Sequence, residues 1–408
     1  MSLNHKLFAS ISLSLITISL LSGCSNSESI VPLADKIEKP SKPAVLDLVT
    51  TINEQNASLR ISPVAAPRIL GYSLFAAYSA SKLMPEGLEK ELVIATAGSE
   101  VAATMILDPS KAAELRSLQE RYGSDLYPAS KEFGLSIAAK VLNIARDDKY
   151  REAFTNWEPG APATTKFAWK PTGRGEPGFE PGWGALIPLN SDSNNCVLPA
   201  PNEELVVEQA KQMYGEFTVG DAVGADVLWW LAGIATSTPA GQWMRVAVNA
   251  ALDDKMSSDE ALKMLTLAAM SAHDAGVMGW REKYRHNLAR PETLWIELYG
   301  PNNKIKLPRE TPNHPSYPSG HSVFGGAVAN SMIISRGDMA VRDFLPVDLY
   351  APYETRSWQS TSEALNEANY SRVNSGFHYP LDVEAGASLG KCVASAMNAN
   401  LDKLVEGL

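Results

Sequence analysis

Residues Ser257–Asn287 read SSDEALKMLTLAAMSAHDAGVMGWREKYRHN, and this stretch decides the fold. Leu262, Leu265, Ala269, Ala272, Gly276, Trp280 and Lys283 recur at spacings of three and four, which puts them on one helix face. That face is apolar until it ends in Lys283. A cation closing a core-facing stripe points to an interior polar site, although lysines also snorkel outward from helix ends.

Helical periodicity extends N-terminally from this stretch. Pro67–Leu83, Glu91–Ile106, Ala129–Arg146, Asn202–Phe217 and Asp221–Ala235 read as helices, and no convincing alternating strand pattern interrupts them. Trp157–Pro201 is dense in Pro, Gly and Trp and reads as irregular; a loop of that length often packs over a site. No repeat at solenoid periods is present. The expected fold class is all-α, a single helical domain over about 44–408 with its motif-bearing core at about 257–403.

The 408 residues are 45% hydrophobic and 20% charged, which is ample for a buried core. A formal net charge of −10 argues against a nucleic-acid partner, so any bound anion must be held by a local cluster of cations. The chain opens with Lys6 before an apolar run, Leu7–Leu21, that reads as a leader over 1–23. Leu21-Ser22-Gly23-Cys24 matches the bacterial lipobox, so Cys24 is the expected lipidation site and 24–43 a polar tether. Ser25 lacks the character of an inner-membrane retention signal. The expectation is a lipid-anchored cell-envelope protein on the outer membrane, facing the periplasm. Cys196 and Cys392 remain, and spacing alone leaves open whether they pair.

Three blocks carry the chemistry. The first is Lys283 through Arg290-Pro291; read as continuing helix, it would set the lysine and arginine two turns apart on one side, with Pro291 ending the helix. The second is Tyr317-Pro318-Ser319-Gly320-His321-Ser322, running into small apolar residues. Ser319 reads as an N-cap there, and Gly320 would let an anion approach the free N–H groups. The third is Ser371-Arg372 through His378-Tyr379-Pro380-Leu381-Asp382. Asp382 lies one turn beyond His378, where it can accept a hydrogen bond from the imidazole and fix its tautomer. Two arginines, a lysine, a serine at a helix start and two histidines suit a tetrahedral oxyanion.

These blocks, covering Trp280 to Gly386 with every motif position kept, resemble the signature shared by vanadium-dependent haloperoxidases, class A acid phosphatases and type 2 phosphatidic acid phosphatases. The resemblance implies a helical-bundle domain. It implies that Lys283, Arg290, Ser319, Gly320 and Arg372 hold the oxyanion, with His378 as the axial group backed by Asp382 and His321 as the opposing acid/base. In the haloperoxidase branch the cofactor is vanadate ligated by His378, and the substrates are hydrogen peroxide and halide. In the phosphatase branch there is no cofactor, and His378 attacks a phosphomonoester to give a phosphohistidine. Ala268–Tyr284 and Thr311–Ser322 are more similar to the haloperoxidases, as are, more loosely, Pro63–Ala80, Thr238–Ala247 and 157–189. His378–Asp382 reads equally well as phosphatase. We expect the haloperoxidase branch, with the phosphatase as alternative and a non-catalytic oxyanion-binding lipoprotein as a third reading. Trp280 and His314 occupy positions that line the halide side in the family, and iodide or bromide is expected before chloride. Dimers are common in the family, so a homodimer is a further expectation.

Overall fold

The stripe read from the sequence is buried along its whole length, from Leu262 at 1% exposure to Lys283 at 0%. The computed structural model of the chain describes residues 42–155, 167–171, 178–217, 224–303, 305, 307–344 and 355–408. The leader, Cys24 and the tether up to residue 41 lie outside the described residues, as do 221–223 and 157–166.

In chain order the helices are α1 (Ala44–Ser58), α2 (Ala65–Leu83), α3 (Lys90–Met105), α4 (Pro109–Arg121), α5 (Pro128–Asp147), α6 (Tyr150–Thr155), α7 (Glu203–Phe217), α8 (Ala225–Trp229), α9 (Thr238–Asp253), α10 (Ser258–His286), α11 (Pro291–Tyr299), α12 (Gly320–Arg336), α13 (Thr361–Asn374) and α14 (Pro380–Glu406). The all-α class holds. One short antiparallel ladder departs from the expectation: β1 (Val341–Phe344) pairs with β2 (Thr355–Trp358). Four residues per strand are too few for alternation to be read from sequence, and a tertiary contact fixes the ladder. The fully buried Asp343 accepts from Arg245 of α9 at 2.7 and 2.9 Å.

The central helix α10 is opened by a capping box between Ser257 and Glu260. It packs against α2, α9, α12 and α14. One apolar cluster fills the space among α1, α2, α3, α5, α9 and α10. A second gathers around Trp295, whose indole N–H donates to Ala210 O at 2.7 Å, and joins α7, α11 and α14. Helices α12 and α14 approach until backbones touch. A Cβ added at Gly390 would fall 2.4 Å from Ala327 N, and one at Gly386 would fall 2.6 Å from Ser319 O. Only glycine fits there, and the contact sets the start of α12 against the start of α14.

Two helix readings need correction. The stretch after Lys283 does not continue to Arg290: Asn287 adopts the left-handed conformation (φ 50°) and ends α10. Asparagine tolerates that geometry, and Pro291 forces Arg290 into an extended conformation before α11. In the described part of the 221–235 stretch, only Ala225–Trp229 is helical. The chain then turns at Gly233, with Thr236 Oγ1 donating to Gly233 O at 2.8 Å, and its carbonyls face the site described below.

The Pro/Gly/Trp-rich segment is irregular where it is described, with short 3-10 turns at Pro181–Ala185 and Ser191–Asn195. Polar residues on α10 hold it. Asp274 accepts from Leu189 N, Asn190 N and Ser193 Oγ at 2.7, 3.0 and 2.8 Å, while burial pushes its carboxyl up to about 7. A disulfide joins Cys196 to Cys392, tying the segment to α14. Glu180, also in the left-handed conformation (φ 47°), accepts from Ser62 Oγ at 2.9 Å, and burial pushes its carboxyl up to about 7. The folded state therefore holds this proton more tightly than the unfolded chain, where a glutamate titrates near ~4.3, and stability falls as pH rises from about 4.3 to about 7. Glu180→Gln should lose that part of the slope, gaining on the order of 2 °C in Tm over the wild type between acidic and mildly alkaline pH. Parallel Tm–pH curves for the two proteins would show that Glu180 is not the group responsible.

Candidate functional site

The three sequence blocks converge where α12 and α14 begin and α10 ends. Ser319 caps α12, its Oγ facing Ser322 N at 3.4 Å. The Ser319 N–H donates to Asp382 O at 2.9 Å, and this bond locks the first turn of α12 to the first turn of α14. Gly320 then brings the helix start against the Trp280 ring, since a Cβ there would sit 3.3 Å from it.

Arg290 organises the other side. It is fully buried and fixed by contacts to protein atoms: Nε donates to His314 O at 2.9 Å, Nη1 to Phe377 O at 2.8 Å and His378 Nε2 at 2.9 Å, and Nη2 to His314 Nδ1 at 3.0 Å. A guanidinium only donates, so His378 Nε2 carries the lone pair and Nδ1 the proton. That proton goes to Asp382 Oδ2 at 3.0 Å, the pairing expected from the i, i+4 spacing. Asp382 Oδ2 also accepts from Ser316 Oγ at 2.5 Å and Tyr379 N at 3.1 Å. Burial pushes the Asp382 carboxyl up to about 6 despite these donors, whereas burial and the neighbouring Arg290 hold His378 well below the ordinary histidine range.

Lys283 is placed differently from a simple cradle residue. Its ammonium donates to the carbonyls of Pro315 (2.9 Å), Ser316 (3.1 Å) and Pro318, so it braces the loop that delivers Ser316 and Ser319. Arg372, on α13, donates through Nε to Ser371 Oγ at 3.1 Å and through Nη2 to Val227 O at 3.4 Å. Burial lowers both Arg290 and Arg372 to about 10. His321, in the first turn of α12, has Nε2 at 3.1 Å from Ala232 O. Arg372 Nη1 lies 3.5 Å from the same nitrogen, but the carbonyls of Ala232 and Leu231 are nearer and only accept, so this histidine carries its proton on Nε2; burial and Arg372 hold it well below the ordinary range.

His321, His378, Arg372, Gly320, Trp280 and His314 border a cavity of about 390 Å3, and Lys283, Arg290, Ser319 and Asp382 adjoin these lining residues. Phe179, from the irregular segment, forms part of the mouth: its ring lies 6.3 Å from His314, and its carbonyl accepts from Trp280 Nε1 and Tyr284 OH. Trp280 and His314, expected on the halide side, lie 5.4 Å apart between ring centroids and both face the cavity. Among the described residues the buried charges do not balance within the site: Arg290, Arg372 and Lys283, which burial and Arg290 pull well below the ordinary lysine range, stand against Asp382. Among the described residues no group of three or more His, Cys, Asp or Glu side chains is arranged for a bare metal cation. Excess buried positive charge beside one unprotonated imidazole nitrogen fits an oxyanion such as vanadate or phosphate.

Ser316, Phe179 and the Leu231–Ala232 carbonyls were not legible as site components. One serine in a loop of two serines and three prolines carries no signal, and a carbonyl contact leaves no residue type to read.

A family model described as the second helical-bundle domain of vanadium chloroperoxidase matches residues 263–407, the part that carries all three blocks. The vanadium chloroperoxidase of Curvularia inaequalis is 26% identical over 199 residues, which is 36% of this chain and 32% of that protein; the match thus spans about a third of the relative's length. The fold is similar to that of a bacterial vanadium-dependent iodoperoxidase, with TM-score 0.76 and 24% identity over 89% of this chain and 98% of the other. It is also similar to a holo-type bacterial vanadium-dependent chloroperoxidase, with TM-score 0.66 and 15% identity over 86% of this chain and 96% of the other. Sequence blocks, buried site and these likenesses agree: residues 263–407 match the second helical-bundle domain of vanadium chloroperoxidase, and the chain shares its fold with bacterial vanadium-dependent haloperoxidases.

Proposed function

We propose that the protein is a vanadate-dependent haloperoxidase that oxidises iodide or bromide with hydrogen peroxide to hypohalous acid. The balance is X⁻ + H2O2 + H⁺ → HOX + H2O. The observation that carries this reading is the lone pair of His378 Nε2, held by Asp382 on the opposite nitrogen and set among buried cations. For the branch, support comes from the likeness to chloroperoxidase over 263–407 and from Trp280 and His314 facing the cavity together.

Vanadate, when bound, supplies a Lewis-acidic centre at which peroxide becomes an electrophile toward halide. His378 Nε2 would ligate it. Arg290, Arg372 and the N–H groups at Gly320 would neutralise its oxygens, with Lys283 and Ser319 holding the loop and helix start in register. His321 Nδ1, the nitrogen left with a lone pair, would accept a proton from incoming peroxide and return it to the departing water. We further infer lipidation at Cys24 and a cell-envelope location.

Purified protein loaded with orthovanadate is expected to turn over iodide or bromide with peroxide, measured as triiodide formation or dye bromination, and the phosphate-loaded protein is not. Bound vanadate without halide oxidation, together with hydrolysis of p-nitrophenyl phosphate by vanadium-free protein, would transfer the site to phosphoester chemistry.

A further inference from the structure

The carbonyls that meet His321 come from a segment with little regular structure, so something else must fix them. Residues 225–232 touch the site twice: Val227 O accepts from Arg372, and Ala232 O takes His321 Nε2, with Leu231 O behind it at 3.4 Å. Gln242 Nε2 donates to Trp229 O at 3.1 Å and Asn374 Nδ2 to Asp226 Oδ2 at 2.8 Å, and next to the His321 carbonyls the segment is held by a carboxylate. Glu367 of α13 accepts from Trp230 Nε1 at 3.0 Å through Oε1 and from Trp358 Nε1 at 3.0 Å through Oε2, and it pairs with Arg356. The Trp230 ring lies stacked on Trp243 at 5.1 Å and 5.5 Å from Trp358. Glu367 therefore fastens three elements at one point: the 225–232 segment, β2 and α13, the helix that also carries Arg372. It does not border the cavity.

We propose that Glu367 is a positioning residue for His321. Through the Trp230 indole it holds the Leu231–Ala232 carbonyls against the imidazole, so that the ring proton stays on Nε2 and Nδ1 keeps its lone pair on the cavity side. The inference rests on the acid/base role assigned to His321 above. Its physical basis is general: the partner of one imidazole nitrogen decides the chemistry of the other, and loss of such partners costs roughly 10–100-fold.

Two variants test it. Glu367→Gln puts an amide N–H where a carboxylate oxygen accepted. Trp230→Phe removes the indole donor while keeping an aromatic ring on Trp243, and it carries the test where Glu367→Gln does not fold. Each is expected to bind orthovanadate within about threefold of wild type while kcat falls at least about tenfold, and Glu367→Asp should recover part of the loss. In nitrogen-15 histidine spectra of vanadate-free protein, His321 should show the Nε2–H tautomer in the wild type and a mixture in the variants. That spectrum reads the clamp whether or not halide is oxidised, so failure of the proposed reaction and failure of the clamp are separate results. Unchanged kcat with an unchanged tautomer would overturn the proposal, as would equal losses of vanadate affinity and kcat.

Discussion

His378→Ala is expected to abolish orthovanadate binding and turnover together. The substitution removes the lone pair that Arg290 Nη1 now meets at 2.9 Å and leaves no other imidazole on Asp382 Oδ2. Altering a residue behind a metal ligand typically costs roughly 10–100-fold in affinity, so losing the ligating nitrogen itself should exceed about 100-fold. Turnover should fall by on the order of 10³ or more, the scale seen when the reacting group of a catalytic unit is removed. Asp382 would keep Ser316 Oγ and Tyr379 N, so the fold should survive, and circular dichroism can verify that. Calorimetric titration with orthovanadate and with inorganic phosphate is the measurement. Full activity in a folded His378→Ala protein would refute the axial role.

His321→Ala should separate what His378→Ala joins. His321 belongs to the first turn of α12, and its ring meets carbonyls and borders the cavity; its one contact with a site cation is the long approach of Arg372 Nη1 at 3.5 Å, and Arg372 keeps Ser371 Oγ and Val227 O without it. Removing it leaves the cationic groups and His378 in place, so orthovanadate affinity should stay within about threefold. Proton transfer would lose its donor and acceptor, and kcat should fall by roughly 10²–10⁴-fold. A variant that binds vanadate weakly but turns over normally when saturated would reverse the assignment, making His321 part of the binding set.

Much of the site was legible because its residues are local in sequence and chemically unusual. His378 and Asp382 are four apart at a proline-started helix, and Ser319-Gly320-His321 opens another, so the contacts at the start of α12 and α14 follow from spacing. The long buried stripe of α10 gave the fold class for the same reason. What was missed depends on tertiary contact. Arg290 lies off the helix that carries Lys283 because Asn287 turns the chain, and both still reach the site through side-chain length rather than a shared face. The helix read over Asp221–Ala235 stops at Trp229, where carbonyls are needed by His321 and Arg372 more than by a further turn. Cys196 and Cys392 pair across a separation of 196 residues that no local pattern could bridge. Glu367 reads as one exposed-face glutamate among many until Trp230, Trp358 and Arg356 are seen to share it.

The close approach of α12 and α14 at Gly386 and Gly390 also divides the molecule by tolerance. Any side chain there meets backbone well inside van der Waals contact, and overpacking of this kind costs roughly 1–3 kcal/mol even when the core can adjust. The distance between Ser319 and Asp382 is thus a hard dimension, set by two main chains and closed to adjustment by substitution at the contact. Trp280, His314 and Phe179, by contrast, line the cavity away from that contact. A lineage or a designer can reshape that mouth at Trp280 and Phe179 while the α12–α14 contact keeps its gauge, whereas His314 also anchors Arg290 through Nδ1 and is less free to change.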